Sequence, residues 1–284
     1  MNIKKILAGI DFGKDTEKAL SYAAFFAKEF KASLNLLYVI DYLITPPAYI
    51  APYIEEEKNT AVQRFTGLIE RLKKDDIQTE TEVMTGRLQE SFEAAAKKIH
   101  ADLLVLGFVS HTLRRSSSEK LIKGLQMPML VVRGGKAESG STGSIKIRRI
   151  LCPFDFSEAS AKALKAAKEL QDIFSSELDI LHVIPDIIIN KNIENKDSYD
   201  SIIKALHEHN MNNLLKLNND NNINATCLVE KGDPDKTIVS LSKERDIDLI
   251  VIGARGLGLI RGMFIGSVTD AVLKSSPCPV FIIH

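Results

Sequence analysis

The chain repeats itself once along its 284 residues, and no other feature restricts its fold so strongly. Ile3 to Gly13, IKKILAGIDFG, lies on Ile147 to Ser157, IRRILCPFDFS, and Leu36 to Ile40 lies on Ile180 to Ile184 at the same spacing. The match resumes after small drifts in spacing, with VMTGR around Gly86 on VEKGD around Gly232, ADLLVLGF on IDLIVIGA, and MPMLVV on CPVFII. A period this long is that of a duplicated domain rather than a solenoid. Each half is large enough to bury its own core. Gly134 to Ser144, GGKAESGSTGS, is small and polar with no apolar face, as expected of a flexible tether. The expected bounds are a first domain over 1–133, a linker over 134–146 and a second domain over 147–284.

Within each half, short apolar runs alternate with helical periodicity. Strands are expected near Lys5–Ile10, Ser33–Val39, Gln78–Thr85, Leu103–Gly107 and Met129–Val132, and again near Arg149–Phe154, Glu177–Val183, Asn224–Val229, Leu249–Ile252 and Val280–Ile283. Ala19, Leu20, Ala23, Ala24 and Ala27 mark one intervening helix face, and Asp233-Pro234 marks a helix start with aspartate at the cap. Alternating strands and helices with right-handed crossovers predict an α/β fold: two tandem doubly wound domains, each with a five-stranded parallel sheet covered on both faces.

The segment from Asp248 to Thr269, DLIVIGARGLGLIRGMFIGSVT, reads as a buried strand opening into a glycine-rich loop. Gly253, Gly256, Gly258, Gly262 and Gly266, with Ser267 and Thr269, allow backbone amides and hydroxyls to approach an anion without Cβ interference. The alternative is a turn that only joins strand to helix. The spacing fits neither the P-loop pattern nor the dinucleotide fingerprint.

In open parallel sheets, ligands bind beyond the carboxyl ends of the strands, where strand order reverses. Asp155, just after the first strand of the second half, falls at that edge. It either meets a base or ribose or caps the following helix, with Ser157 as a competing cap. The backbone of Val183, at the end of the second strand, faces the same region. No activated nucleophile, carboxylate pair or metal triad accompanies the loop, which leaves at most slow hydrolysis.

Composition narrows the partners. Lys and Arg total 37 against 37 Asp and Glu, so there is no overall field to hold a nucleic acid. No apolar run approaches the roughly 20 residues of a membrane span, and a cytoplasmic location is expected. Cys152, Cys227 and Cys278 are widely spaced and read as free thiols in strands. His207 and His209 point to different faces of one helix and read as solvated. Asp41 to Tyr53, DYLITPPAYIAPY, is rich in proline and aromatics and reads either as a lid or as an ordinary loop.

ILCPFDFSEAS after a basic pair, LHVI, the turn at Gly232, and Gly253-x2-Gly256-x9-Gly266-Ser267 ahead of PCPVFII together resemble the universal stress protein family, in its ATP-binding branch. The likeness spans nearly the whole chain as two copies. It implies an adenine nucleotide alpha hydrolase-like fold with strand order 3-2-1-4-5, and ATP, AMP or ADP as ligand, with Mg2+ bridging phosphates. It further implies that Asp155 and Val183 contact adenine and ribose with Pro153 shaping that pocket, while Gly253, Arg255, Gly256, Gly266, Ser267, Val268 and Thr269 surround ribose and phosphates. Arg255 also reads as a solvated loop cation.

The first half departs from this pattern. Gly107 stands for Gly253 and Asp11 for Asp155, but Ser110 replaces Gly256 and Arg115 replaces Gly266, with Ser116 and Ser118 keeping hydroxyls. The resemblance therefore implies a nucleotide-dependent stress regulator, occupied in its second half and acting on an unidentified protein partner. Slow ATP hydrolysis and a nucleotide-independent scaffold are the alternatives. It also implies an internal pseudo-dimer through the last strands, Met129–Val132 and Val280–Ile283, with a homodimer as the other arrangement.

Overall fold

Ile6-Leu7-Ala8 and Ile150-Leu151-Cys152 are buried throughout, and each triplet forms the middle of the central strand of its own sheet. The structure is a computed structural model describing residues 1–13, 16–41, 47–108, 117–133, 145–186, 196–256 and 265–284, with backbone alone for 47–50, 117 and 196–200. Gly258, Gly262, Ser110, Arg115, Ser116 and the tether from Gly134 to Ser144 lie outside the described residues. Two compact units emerge, Asn2–Ile145 and Lys146–His284, the latter joined by Met1.

The first unit runs β1 (Lys5–Gly9), α1 (Thr16–Phe30), β2 (Ser33–Ile40), α2 (Pro47–Lys74), β3 (Thr79–Thr85), α3 (Leu88–Ile99), β4 (Leu103–Phe108), α4 (Ser117–Gly124) and β5 (Met129–Arg133). The second runs β6 (Arg149–Pro153), α5 (Glu158–Phe174), β7 (Glu177–Pro185), α6 (Lys196–Asp220), β8 (Ala225–Gly232), α7 (Pro234–Glu244), β9 (Leu249–Gly253), α8 (Ser267–Ser275) and β10 (Val280–Ile283). Within the units the strand orders are β3-β2-β1-β4-β5 and β8-β7-β6-β9-β10. Every pairing along both orders is parallel, as the alternation of strands and helices predicts. Strand order therefore reverses beside β1 in one unit and beside β6 in the other, the position at whose carboxyl edge open parallel sheets bind ligands.

Alanines set the helix-to-sheet distance. Ala19, Ala23, Ala24 and Ala27 of α1, and Ala163, Ala166 and Ala167 of α5, are all buried, so these helices sit close to the sheet around Leu20, Leu164 and Leu170. Burying each leucine contributes about 2 kcal/mol.

The duplication extends to backbone conformation. Among the described residues the non-glycine residues with positive φ form four corresponding pairs: Phe12 with Phe156, Lys31 with Ser175, Asp76 with Asn222, and His100 with Asp246. Three of these pairs close helices. Beyond Lys31, for instance, Ala32 N–H returns to Ala27 O at 2.8 Å, and Ser176 N–H returns to Gln171 O at 3.1 Å beyond Ser175. Asp102 and Asp248 likewise each accept two amides at the start of the central strand, from Lys4 and Lys5 and from Arg148 and Arg149.

Three local readings need correction. Strand β8 continues past Val229 to Gly232, because β7 stays paired with it as far as Pro185. The segment from Asp41 to Tyr53 is not a loop throughout: α2 already begins at Pro47 and carries Pro52 within it, while residues 42–46 lie outside the described residues. Pro47 suits the helix start, where no carbonyl partner exists for its missing N–H, whereas Pro52 stands in the second turn and removes the bond to the Ala48 carbonyl. Asp233 holds the N-cap position of α7, but its side chain makes no cap bond and pairs instead with Lys236 at 2.5 Å.

Candidate functional site

Beyond β6 the chain must turn sharply to enter α5, and Asp155 organises that turn. Its Oδ1 accepts from Ser157 N–H at 3.1 Å and from Ser157 Oγ at 2.5 Å. Ser157 is the residue that caps α5, its Oγ accepting from Ser160 N–H at 3.2 Å. One carboxylate oxygen of Asp155 is thus engaged in shaping the turn, while Oδ2 lies against Gly256. Pro153, buried at the end of β6, aligns with Leu181 of β7. Half-buried Val183, two residues further along β7, pairs with Glu230.

The three described glycines of the loop serve different ends. A Cβ on Gly253 would come within 2.8 Å of the backbone carbon and oxygen of Ala159, so the first turn of α5 needs glycine there for packing. A Cβ on Gly256 would run into the Asp155 carboxylate. On Gly266 its nearest neighbours would be Arg255 Cα at 3.5 Å and Ala254 O and Gly256 N at 3.6 Å, ordinary van der Waals contacts that a methyl group can make without a clash.

Gly266 is also the N-cap of α8 and, as glycine, offers no side chain to cap it. Its N–H donates to Ala254 O at 2.7 Å, which folds the loop back onto the end of β9. The opening amides of Ser267, Val268 and Thr269 lack intrahelical acceptors, as at any helix start, and together carry partial positive charge. Ser267 is exposed. Thr269, by contrast, is 3% exposed and donates its hydroxyl to Gly253 O at 2.8 Å. The hydroxyl expected to meet phosphate is committed to the protein, and Thr269 faces the loop through its backbone. In the first unit Ser118 makes the same bond to Gly107 O. Arg255 is exposed just beyond β9; burial, followed by the Arg255 charge, pushes the His284 imidazole pKa down to about 4.

Asp155, Gly253, Gly256, Gly266 and the start of α8 are thus assembled at the carboxyl edge where strand order reverses. The three cysteines are free, Cys152 and Cys278 buried and Cys227 half-buried, and burial raises the Cys152 and Cys227 thiols. His207 and His209 are exposed on α6. Among the described residues no helix is long and apolar enough to cross a membrane. Sequence reasoning missed Phe156 and His182, whose rings stand 4.9 Å apart beside Asp155. Their signal was the matching pair Phe12 and Tyr38 in the first half.

Comparison with known proteins places this architecture. The family model described as the universal stress protein family matches residues 2–133 and again 146–284. Universal stress protein MJ0577 of Methanocaldococcus jannaschii is 28% identical over 156 residues, covering 49% of this chain and 96% of its own length. Universal stress protein YxiE of Bacillus subtilis is 31% identical over 145 residues, covering 48% and 98%. A crystal structure of a universal stress protein from Archaeoglobus fulgidus overlays 99% of this chain and 96% of its own with a TM-score of 0.74 at 21% identity, a likeness of fold. The chain belongs to the universal stress protein family, as a tandem of two such domains with the adenine nucleotide alpha hydrolase-like fold.

Proposed function

We propose that the second domain, residues 147–284, binds one adenine nucleotide, ATP or a product of it, and that the protein works as a nucleotide-dependent regulator in the stress response. The observation that carries this reading is the start of α8: a helix whose N-cap is a glycine and so makes no side-chain cap bond, in the unit where Asp155 stands at the strand-order reversal. Phosphates there would take the amides of Ser267 to Thr269, with Mg2+ bridging them. Asp155 Oδ2 and the Val183 backbone would meet ribose and adenine, with Pro153 beneath and Arg255 at the phosphate end. Gly253 and Gly256 would act by letting α5 and Asp155 approach.

The first domain, residues 1–133, joined by the 134–146 linker, would carry no nucleotide of this kind, since Arg115 replaces Gly266. The two domains would pair through their last strands, and the protein would reside in the cytoplasm. Calorimetry of the full chain with Mg-ATP should give about one site per chain, and Gly266→Arg should abolish it. Two sites per chain, or full affinity in Gly266→Arg, would sink the assignment.

A further inference from the structure

Phe156 has a φ of 63°, in the left-handed region that a bulky side chain enters only when its surroundings impose it. The residue is 42% exposed. It packs edge-on against Phe154, centroids 5.1 Å apart, and tilted against His182 at 4.9 Å. His182 is held in turn by a 2.8 Å hydrogen bond from its Nδ1–H to Phe154 O. Single exposed aromatics are common on protein surfaces. This one is kept in a costly conformation between Asp155, which precedes it, and Val183, which follows His182 in β7.

The first domain shows the same shelf with a cover. Phe12, φ 55°, lies 5.1 Å from the Tyr38 ring as Phe156 lies beside His182. Helix α2 closes over it: the Phe65 ring meets Phe12 edge-on at 5.1 Å, the Arg64 guanidinium sits 5.4 Å from the ring centroid, and Tyr38 Oη donates to Glu57 Oε1 at 2.7 Å. The matched helix ends at Asp76 and Asn222 set the register of α2 against α6. In that register Glu57, Arg64 and Phe65 become Ile203, Asn210 and Met211. The carboxylate and the guanidinium that close the first shelf are absent from the second.

We propose that Phe156, braced by His182, is the shelf on which the base stacks in the second domain, and that α2 closes the corresponding shelf in the first. The first domain is therefore shut at the base end, independently of its altered phosphate loop. The inference rests on the nucleotide reading and extends it: Phe156 selects nucleotides over base-free polyphosphates. Stacking accepts any base face, so identity of the base falls to the polar groups at the two ends of the shelf.

The test compares ATP with inorganic tripolyphosphate on the full-length protein. Phe156→Ala should weaken ATP about tenfold and leave tripolyphosphate unchanged. Ile203→Glu with Asn210→Arg, which installs the charged part of the cover, should weaken ATP as well. The chain contains no tryptophan, so Phe156→Trp adds a lone indole whose emission should fall with ATP and stay constant with tripolyphosphate. Unchanged ATP affinity in Phe156→Ala, or equal losses for both ligands, would overturn the shelf. Wild-type protein that binds neither ligand would overturn the nucleotide reading instead.

Discussion

The carboxylate of Asp155 occupies the space that a side chain at Gly256 would need. This contact joins the turn after β6 to the loop after β9, the two segments that flank the reversal in strand order. Gly256→Ala should push the carboxylate aside while the sheet stays intact. We expect at least a tenfold loss of ATP affinity by calorimetry, with the melting temperature within a few degrees of wild type. An unchanged affinity would mean that the Asp155 position is irrelevant to binding.

Gly253 and Gly266 should respond oppositely to alanine. At Gly253 the new methyl would meet the Ala159 backbone at 2.8 Å, and backbone cannot rotate away. Overpacking of this kind costs about 1–3 kcal/mol, read as a lower denaturation midpoint. At Gly266, with φ −74° and neighbours at 3.5 Å or beyond, alanine should leave stability within about 0.5 kcal/mol.

Asp179 is 5% exposed and receives two bonds from Arg245, from Nε at 2.7 Å and from an Nη nitrogen at 3.3 Å. Arg245→Ala would leave that carboxylate buried without its partner. A loss of about 2–4 kcal/mol is expected in urea titration of the full chain. Arg245→Ala combined with Asp179→Leu should recover most of it, and an additive double variant would refute the coupling.

His284 follows β10 directly, with its Nε2 buried and unpaired among the described residues. Burial, then Arg255, lowers it to about 4, so the folded protein disfavours the charged ring. The unfolded chain takes up the proton first, near pH 6.5, and stability should therefore fall as pH drops from about 6.5 to 4. Partial exposure reduces the effect to about 1–2 kcal/mol. In melting curves across this range His284→Phe should flatten the acid limb, and an identical limb in that variant would assign it to other groups.

The parallel order and the site's location follow from repeated short apolar runs and from Asp155 and the glycines standing at strand ends, all of which can be read along the chain. Details that depend on cross-chain geometry cannot. Ala159 gives no sign that it presses on Gly253, about ninety residues away. Lys31 and Ser175 close helices in a conformation that glycine usually marks. Thr269 looks like a phosphate donor by its place in the motif, yet its burial turns the hydroxyl inward, where the nearest acceptor is the Gly253 carbonyl. The covering of Phe12 by α2 depends on helix register, and proline-rich composition around Pro47 hides where that helix begins.

The bond from Thr269 to Gly253, repeated between Ser118 and Gly107, fastens the first turn of a helix to the end of a strand. A helix riveted at that point cannot swing on the preceding loop as a separate flap. Charge arriving at its amino end would load the sheet directly, as weight on a bracket loads the wall, and strain at the α8 start would be felt first along β9.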